Sequence, residues 1–297
     1  ESGSLSRAAI LFDTPSRWMI DHASGPRNDG RRDPVGTARR HYLALHAAGY
    51  EVDLVPGELL VARELPLEYR LIVLPMADHI SPELASRLEE FVRTGGTLVV
   101  TYFSGVLDRW QRLEDSGSPG PLRELCGVGV AERDELAPGE AVPVAWEGGY
   151  QWAQGNPAPD ASAREYCEVI ECAEDVEVIA RYDGEFYAGA PALVRRTWGA
   201  GHAWYLACRL SSGAPGALYR EIAARQETPA LFRELAEALP RGVHWMTRVL
   251  SGRRTWLFLF NPTGEERSVQ LPASVAHALE GDPLACRASL QAPGRLY

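Results

Sequence analysis

The sequence contains no lysine, so all 30 of its basic side chains are arginine. The 40 acidic residues outnumber them and give a formal net charge of −10. Because a surface of that sign repels phosphate backbones, nucleic acid is excluded as an expected partner. We interpret the missing lysine as coding bias in a proteome rich in Ala, Arg and Gly.

Long apolar runs are also missing. No stretch approaches the ~20 apolar residues that a membrane span needs, so no membrane partner is expected. The cysteines are few and scattered, with no CxxC pair: Cys126, Cys167, Cys172, Cys208 and Cys286. This pattern argues against a disulfide framework or a zinc site and favours a reducing, cytoplasmic location. The first residue is Glu1 rather than Met, and we interpret residues 1–6 as an expression remnant.

Several catalytic motifs are absent as well. No HExxH occurs, and His41 and His46 would lie on different faces of a helix, so no metal site is predicted. The glycines after the first strand lack the GxGxxG spacing of a dinucleotide loop, and no cofactor is expected. Ser104 follows a strand, but no glycine stands two residues before it, as a nucleophile elbow requires. Ser104 is therefore interpreted as the start of a turn.

The first hundred residues alternate between short apolar runs and amphipathic stretches. Four segments predict strands, at Ala8–Phe12, Val52–Val55, Leu71–Pro75 and Thr97–Phe103. The first is an apolar run and predicts a buried parallel strand. Helices are predicted over Val35–Ala48 and from Ser81-Pro82 onward, because serine caps free N–H groups and proline suits a first turn. This alternation predicts an α/β fold with a parallel sheet flanked by helices.

Beyond Gly127 the pattern becomes rich in predicted strands, followed by helical stretches at Ala217–Arg225 and Ala230–Leu239. Pro240-Arg241-Gly242 is interpreted as a hinge. The alternating segments after it, Val243–Leu250 and Thr255–Asn261, indicate a small all-β antiparallel domain. The predicted division is therefore an α/β domain over residues 7–239 and a β-domain over residues 240–297.

Two predicted loops exceed simple connectors: Thr14 to about Pro34, and Ser104 to about Pro121. Both leave the carboxyl ends of strands, where open α/β sheets place their working surface. Four tryptophans fall in predicted loops, Trp18, Trp110, Trp146 and Trp152, and four in predicted strands, where a core position is expected, Trp198, Trp204, Trp245 and Trp256. For Trp18 and Trp110, an interface or sugar contact and simple local packing both remain open.

Several ordered segments resemble glycoside hydrolase family 42 β-galactosidases. These are Gly95–Asp108 (GGTLVVTYFSGVLD), Pro119–Val128 (PGPLRELCGV), Phe186–Ala192 (FYAGAPA) and Thr255–Thr263 (TWLFLFNPT). In that family a catalytic barrel precedes an amidotransferase-like (flavodoxin-like) trimerisation domain, and a small β-domain ends the chain. The resemblance covers the second and third parts only.

The resemblance implies that the barrel and its two catalytic glutamates have no counterpart here. The chain alone is then expected to be inactive, and to form homotrimers in a full-length protein that hydrolyses terminal β-D-galactosides. The resemblance makes the two long loops the expected contacts with a neighbouring subunit near its active site. Six interface or sugar-proximal candidates follow: Trp18, Asp21, Tyr102, Phe103, Asp108 and Trp110.

The sequence departs from the family after Tyr102-Phe103-Ser104-Gly105, where Asp108-Arg109-Trp110-Gln111-Arg112 replaces an acidic, Asn-containing run. Details of the subunit contact are therefore open. A free-standing amidotransferase-like domain, or a carbohydrate-binding domain that uses the loop tryptophans, remains an alternative.

Overall fold

The computed structural model describes residues 2–3, 7–22, 32–62, 69–148, 160–211, 213–226, 230–240, 242–250, 254–278 and 287–290. Within these ranges the strands are β1 (Ser2–Gly3), β2 (Ala8–Leu11), β3 (Val52–Val55), β4 (Leu71–Leu74), β5 (Thr97–Thr101), β6 (Val128–Glu135), β7 (Val142–Trp146), β8 (Ala161–Cys172), β9 (Val176–Tyr182), β10 (Pro191–Trp198), β11 (Gly201–Leu206), β12 (Cys208–Leu210), β13 (His244–Leu250), β14 (Arg254–Phe260), β15 (Arg267–Gln270) and β16 (Arg287–Leu290).

The helices in the same ranges are α1 (Thr14–Asp21), α2 (Pro34–Ala47), α3 (Gly57–Ala62), α4 (Pro82–Arg93), α5 (Arg123–Cys126), α6 (Ala214–Arg225), α7 (Ala230–Ala238) and α8 (Ala273–Ala278), with a 3-10 turn at Gly120–Leu122. The described helices are all too short or too polar to traverse a lipid bilayer.

One mixed sheet of eleven strands organises most of the molecule. Its parallel part has the order β3-β2-β4-β5-β11. Strand β10 then joins β11 in antiparallel fashion, and β9, β7, β8 and β12 extend the sheet, with β6 also on β8. The predicted α/β fold with a parallel sheet flanked by helices is confirmed, and the strand-rich stretch after Gly127 continues that sheet.

Alternating side chains of the parallel strands fill two cores. Ile10 of β2 joins the core beneath α2 and α6, whereas its neighbour Leu11 joins the core beneath α4 and α5. Successive side chains of a strand point to opposite faces, so strands with both faces covered are apolar throughout. The four residues of β4 are accordingly at most 1% exposed.

Three helices begin with the same kind of N-terminal cap. The side chains of Asp13, Asp33 and Ser81 each accept a hydrogen bond from a first-turn backbone N–H, at 2.7, 2.7 and 3.1 Å. A proline occupies the first or second position of each helix, where its missing N–H costs nothing. These caps fix where α1, α2 and α4 leave the sheet.

The predicted small antiparallel sheet after residue 240 is confirmed: β13 pairs with β14 and β1, and β15 pairs with β16. Its core contains Trp245, Val275 and also Leu235 of α7. It meets the α/β part where Thr247 donates its backbone N–H to buried Glu51 at 2.9 Å. A domain boundary at residue 240 stays a prediction, since α7 already packs on this sheet.

Three tryptophan expectations need correction. Trp18 lies in helix α1 rather than in a loop, because Asp13 caps Thr14–Asp21. Trp146 ends strand β7. Trp256 is 52% exposed rather than part of the core, because Leu257 and Leu259 on the other face of β14 fill it instead. Trp152, Cys286 and Arg241 lie outside the described residues.

Candidate interface surface at the strand ends

Two exposed segments stand at the carboxyl ends of the parallel strands. Helix α1 follows β2, and the irregular 104–119 loop follows β5. Three large apolar side chains on them face solvent: Trp18 is 60% exposed, Trp110 66% and Leu113 73%. We call these three, together with Asp21 and Asp108, the strand-end surface. Exposed apolar side chains grouped on one edge are typical of a protein–protein contact.

The two segments are tied together through His79. The hydroxyl of Ser16 in α1 accepts a hydrogen bond from the His79 backbone N–H at 3.1 Å. The Nδ1 atom of His79 lies 3.2 Å from the carbonyl oxygen of Leu107 in the loop. The segments that carry Trp18 and Trp110 are therefore linked through one residue.

Asp108 organises the tip of the loop. Its carboxylate accepts hydrogen bonds from the backbone N–H groups of Trp110 (2.7 Å) and Arg112 (3.0 Å) and from the Arg112 guanidinium (2.8 Å). These hydrogen bonds, the one from the Arg112 backbone first, lower the pKa of Asp108. The Arg109 guanidinium lies over the Trp110 ring, 4.8 Å from its centroid. Asp108 thus holds the turn that presents Trp110.

Asp21 lies on the exposed side of α1. Arg17, one turn earlier, donates to its carboxylate at 3.2 Å, with both side chains nearly half exposed. A pair this exposed contributes little to stability. Asp21 therefore remains available for a contact with another molecule.

The last two candidates are buried directly beneath the surface. Tyr102 is 1% and Phe103 7% exposed, and both pack on Tyr166. The guanidinium of Arg209 donates to the Tyr102 hydroxyl at 2.8 Å and forms an ion pair with Glu165. Both aromatic side chains lie inside the subunit, so they support the surface from below; any direct role in an interface stays a prediction.

Two non-glycine residues at these strand ends have left-handed backbones. Met76 has φ 47° and Phe103 has φ 55°, a conformation that is strained for bulky residues. Side chains hold both in place: Thr101 accepts from the Met76 N–H at 2.9 Å, and Glu168 accepts from the Phe103 N–H at 3.1 Å. Phe103 thereby leads the chain from β5 into the 104–119 loop, and Met76 leads it from β4 to Asp78, whose carbonyl accepts from the Val106 N–H of that loop.

Two buried carboxyl groups, those of Glu168 and Asp78, lie beneath the strand-end surface, and we call them and their arginine partners the buried charged layer. Glu168, at 0% exposure, accepts hydrogen bonds from the Tyr205 hydroxyl at 2.6 Å and from Arg133 at 3.0 Å, and burial raises its pKa. Burial also raises the pKa of Asp78 to about 6, although the charges of Arg133, Arg32 and His79 oppose the rise. Arg133 and Arg32 both lie over the Phe103 ring, at 5.6 and 5.1 Å from its centroid.

Ser104 has the structural role that the sequence predicts. Its side chain is fully buried, and its hydroxyl accepts a hydrogen bond from the Ala77 backbone N–H at 3.3 Å. Its carbonyl accepts from the Ser118 hydroxyl at 2.7 Å, which closes the base of the loop. Next to it, Gly105 has φ +58°, and a Cβ there would stand 2.2 Å from the Pro119 carbonyl oxygen, so only glycine fits.

Two buried histidines elsewhere in the described ranges have internal partners. His41 lies 2.5 Å from the Tyr219 hydroxyl, and burial lowers its pKa to about 4. His46 contacts the Trp245 backbone. Among the described residues no group of three or more His, Cys, Asp or Glu side chains is arranged to hold a metal ion.

Sequence reasoning missed Arg209, Glu165 and Glu168. All three stand in segments that read as ordinary alternating strands, and the chain holds 40 acidic residues, so nothing singles out the buried ones. The one available signal was the placement of a charged residue at a position that alternation assigns to the core.

Comparison with known proteins agrees with this architecture. A family model described as the β-galactosidase trimerisation domain matches residues 6–229. β-Galactosidase BglY of Alicyclobacillus acidocaldarius is 38% identical over 280 residues, 93% of this chain and 38% of the relative. β-Galactosidase Pbg of Clostridium perfringens is 30% identical over 265 residues, 89% of this chain and 36% of the relative.

Solved structures give the same result. The cold-adapted β-galactosidase from Rahnella sp. R3 superposes with a TM-score of 0.81 at 31% identity, over 99% of this chain and 40% of that one. The Bacillus circulans sp. alkalophilus β-galactosidase superposes with a TM-score of 0.79 at 28% identity, over 98% and 41%. The chain thus spans about two fifths of the length of the relatives it matches. It belongs to the β-galactosidase trimerisation domain family.

Proposed function

We propose that this chain is the subunit-joining part of a homotrimeric β-galactosidase, whose catalytic barrel hydrolyses terminal β-D-galactosides. The family-model match over residues 6–229 carries the proposal. Relatives whose alignments cover about 90% of this chain bear the name β-galactosidase and are more than twice as long. The hydrolysis then belongs to the remaining part of such a protein, and this chain alone is inactive.

The strand-end surface is the proposed contact with a neighbouring subunit, and it would border that subunit's active site. In a cyclic trimer each subunit uses two different patches, so this surface meets a different part of its neighbour. Trp18 and Trp110 supply large apolar rings, and aromatic side chains are enriched in the centres of interfaces. The ordered loop tip around Asp108 reduces the entropy that association must overcome.

We also propose a cytoplasmic location. The four cysteines in the described ranges, Cys126, Cys167, Cys172 and Cys208, are free thiols, which a reducing compartment preserves.

Sedimentation velocity over a range of concentrations tests the assembly. We expect the chain to self-associate, and the Trp18→Ser/Trp110→Ser variant to shift towards monomer by at least tenfold in dissociation constant. Trp256→Ser is the matched control, because Trp256 is 52% exposed but lies on β14 of the small sheet. Unchanged association of the double variant would refute the proposed contact.

An aryl β-galactoside assay tests whether hydrolysis requires the catalytic barrel. The chain alone is expected to give no turnover, whereas the complete protein containing a barrel should be active. Reproducible hydrolysis by the purified chain would contradict the proposal. In the complete protein, the tryptophan double variant should lose trimer and activity together if the surface borders a neighbouring active site.

A further inference from the structure

The opposite edge of the sheet carries a pocket whose lining shares no residue with the strand-end surface. Its volume is about 550 Å³, and it lies where the parallel strands begin. Arg7 immediately precedes β2, Arg70 precedes β4, Thr97 opens β5 and His202 stands at the start of β11. The strand-end surface is at the other end of the same strands, so the two sites are separate.

The lining is strongly basic. Four arginines contribute to it, Arg7, Arg70, Arg195 and Arg225, together with His202, and no carboxylate is among the described residues that line it. The whole chain has a net charge of −10, so the pocket lining is opposite in sign to the net charge of the protein. A concave site lined by one sign of charge raises the local concentration of ions of the opposite sign.

Among the described residues, two of the four guanidinium groups have no ion-pair partner. Arg195 forms an ion pair with Glu177, and Arg225 pairs with Glu221 at 2.6 Å. Within the described ranges neither Arg7 nor Arg70 forms an ion pair. Their backbones are adjacent, since the Arg70 N–H donates to the Arg7 carbonyl at 2.7 Å. Arg7 and Arg70, neither of them paired with a described carboxylate, therefore occupy adjacent strand starts at the pocket.

The walls are held in a fixed arrangement. Gln226 donates to the Arg70 carbonyl at 2.9 Å and accepts from the Tyr50 hydroxyl at 2.9 Å. On the opposite wall the Arg195 guanidinium lies 5.5 Å from the centroid of Trp204, which is 2% exposed. The Nδ1 atom of His202 faces the Thr197 hydroxyl at 3.4 Å, which leaves Nε2 for another partner.

We propose that this pocket binds a small multivalent oxyanion, a metabolite bearing phosphate or several carboxylate groups. Guanidinium groups present paired N–H donors that match the oxygens of both anions, and such charge-assisted hydrogen bonds are the stronger ones. Arg7 and Arg70 supply the uncompensated charge, while Arg195 and the His202 imidazole supply further donors. A volume of 550 Å³ accommodates a ligand larger than a single phosphate.

Calorimetric titration of the chain with inorganic pyrophosphate and with citrate, at constant ionic strength, tests the pocket. We expect saturable binding of at least one probe, and the stronger binder identifies phosphate or carboxylate as the preferred group. The Arg7→Gln/Arg70→Gln variant should bind at least tenfold more weakly. No saturable binding of either probe to the unmodified chain would overturn the proposal.

A matched control separates a site from general electrostatics. Arg39 and Arg87 are exposed on α2 and α4, so Arg39→Gln/Arg87→Gln changes the net charge equally away from the pocket. Its affinity should stay within twofold of the unmodified chain. Equal weakening in both double variants would refute a specific site. Circular dichroism confirms that each variant is folded, and sedimentation shows whether association, a separate property, is retained.

Discussion

Replacing Asp78 by asparagine should stabilise the fold at neutral pH. Asp78 is 7% exposed beneath the strand-end surface, and no described residue donates a hydrogen bond to its carboxylate. Burial raises its pKa to about 6, against an ordinary value of 3.8. At neutral pH this carboxylate is charged, and the burial of that charge destabilises the folded state. Asparagine has nearly the same shape and carries no charge.

The size and the pH dependence follow from proton linkage. Because the folded state binds the Asp78 proton more tightly than the unfolded state, stability falls as pH rises between about 4 and 6. The difference between 3.8 and about 6 corresponds to a penalty of about 3 kcal/mol above pH 7. Asp78→Asn should remove most of this penalty at pH 8, roughly half as much near pH 5, and very little near pH 4.

Urea unfolding followed by tryptophan fluorescence between pH 5 and pH 8 measures the effect. Asp115→Asn is the matched control, because Asp115 is an exposed aspartate in the neighbouring loop and should show no comparable gain. If Asp78→Asn destabilises the chain at pH 8, the carboxylate is stabilised in its charged form by Arg133, Arg32 and His79. A gain that does not vary with pH would equally refute the linkage argument.

Two further predictions concern stability. Phe103→Ala should destabilise the chain by roughly 3 kcal/mol in urea unfolding, because the ring is 7% exposed and packs on Tyr166 beneath two guanidinium groups; a loss under 1 kcal/mol would show that the layer is not tightly packed. Ser81→Ala should cost about 1 kcal/mol and lower the melting temperature by a few degrees, since it removes the α4 cap at 3.1 Å; Ser86→Ala, in the exposed middle of α4, is the control.

The parallel half of the fold could be predicted because most of its strands are buried on both faces; the edge strand β3 is the exception. The run Leu71–Leu74 has no polar side chain, and Ser81-Pro82 marks a helix start by local hydrogen bonding. Such signals need no knowledge of distant residues. The predicted bounds of β3, Val52–Val55, match the structure.

The antiparallel half was harder because its strands mix polar and apolar residues on both faces. Strand β8 mixes polar and apolar residues, yet Glu168 in it is fully buried. Its partners are Phe103, just after β5, Arg133 of β6 and Tyr205 of β11. Only the tertiary structure brings those partners together. For β14 the alternation was correct, but nothing local showed whether Trp256 or Leu257 faces the core.

The buried charged layer costs stability that an apolar layer would not, and its position suggests why the fold tolerates it. A buried ion pair is weak evidence for stability but can fix one arrangement, since a displaced partner leaves an unpaired charge. Arg209, Glu168 and Arg133 each hold a group at the strand ends, where Met76 and Phe103 adopt strained backbones. A surface that must match a neighbouring subunit gains from such rigidity, because loops ordered in advance lose less entropy on association. Such rigidity is what the proposed interface at the strand ends requires.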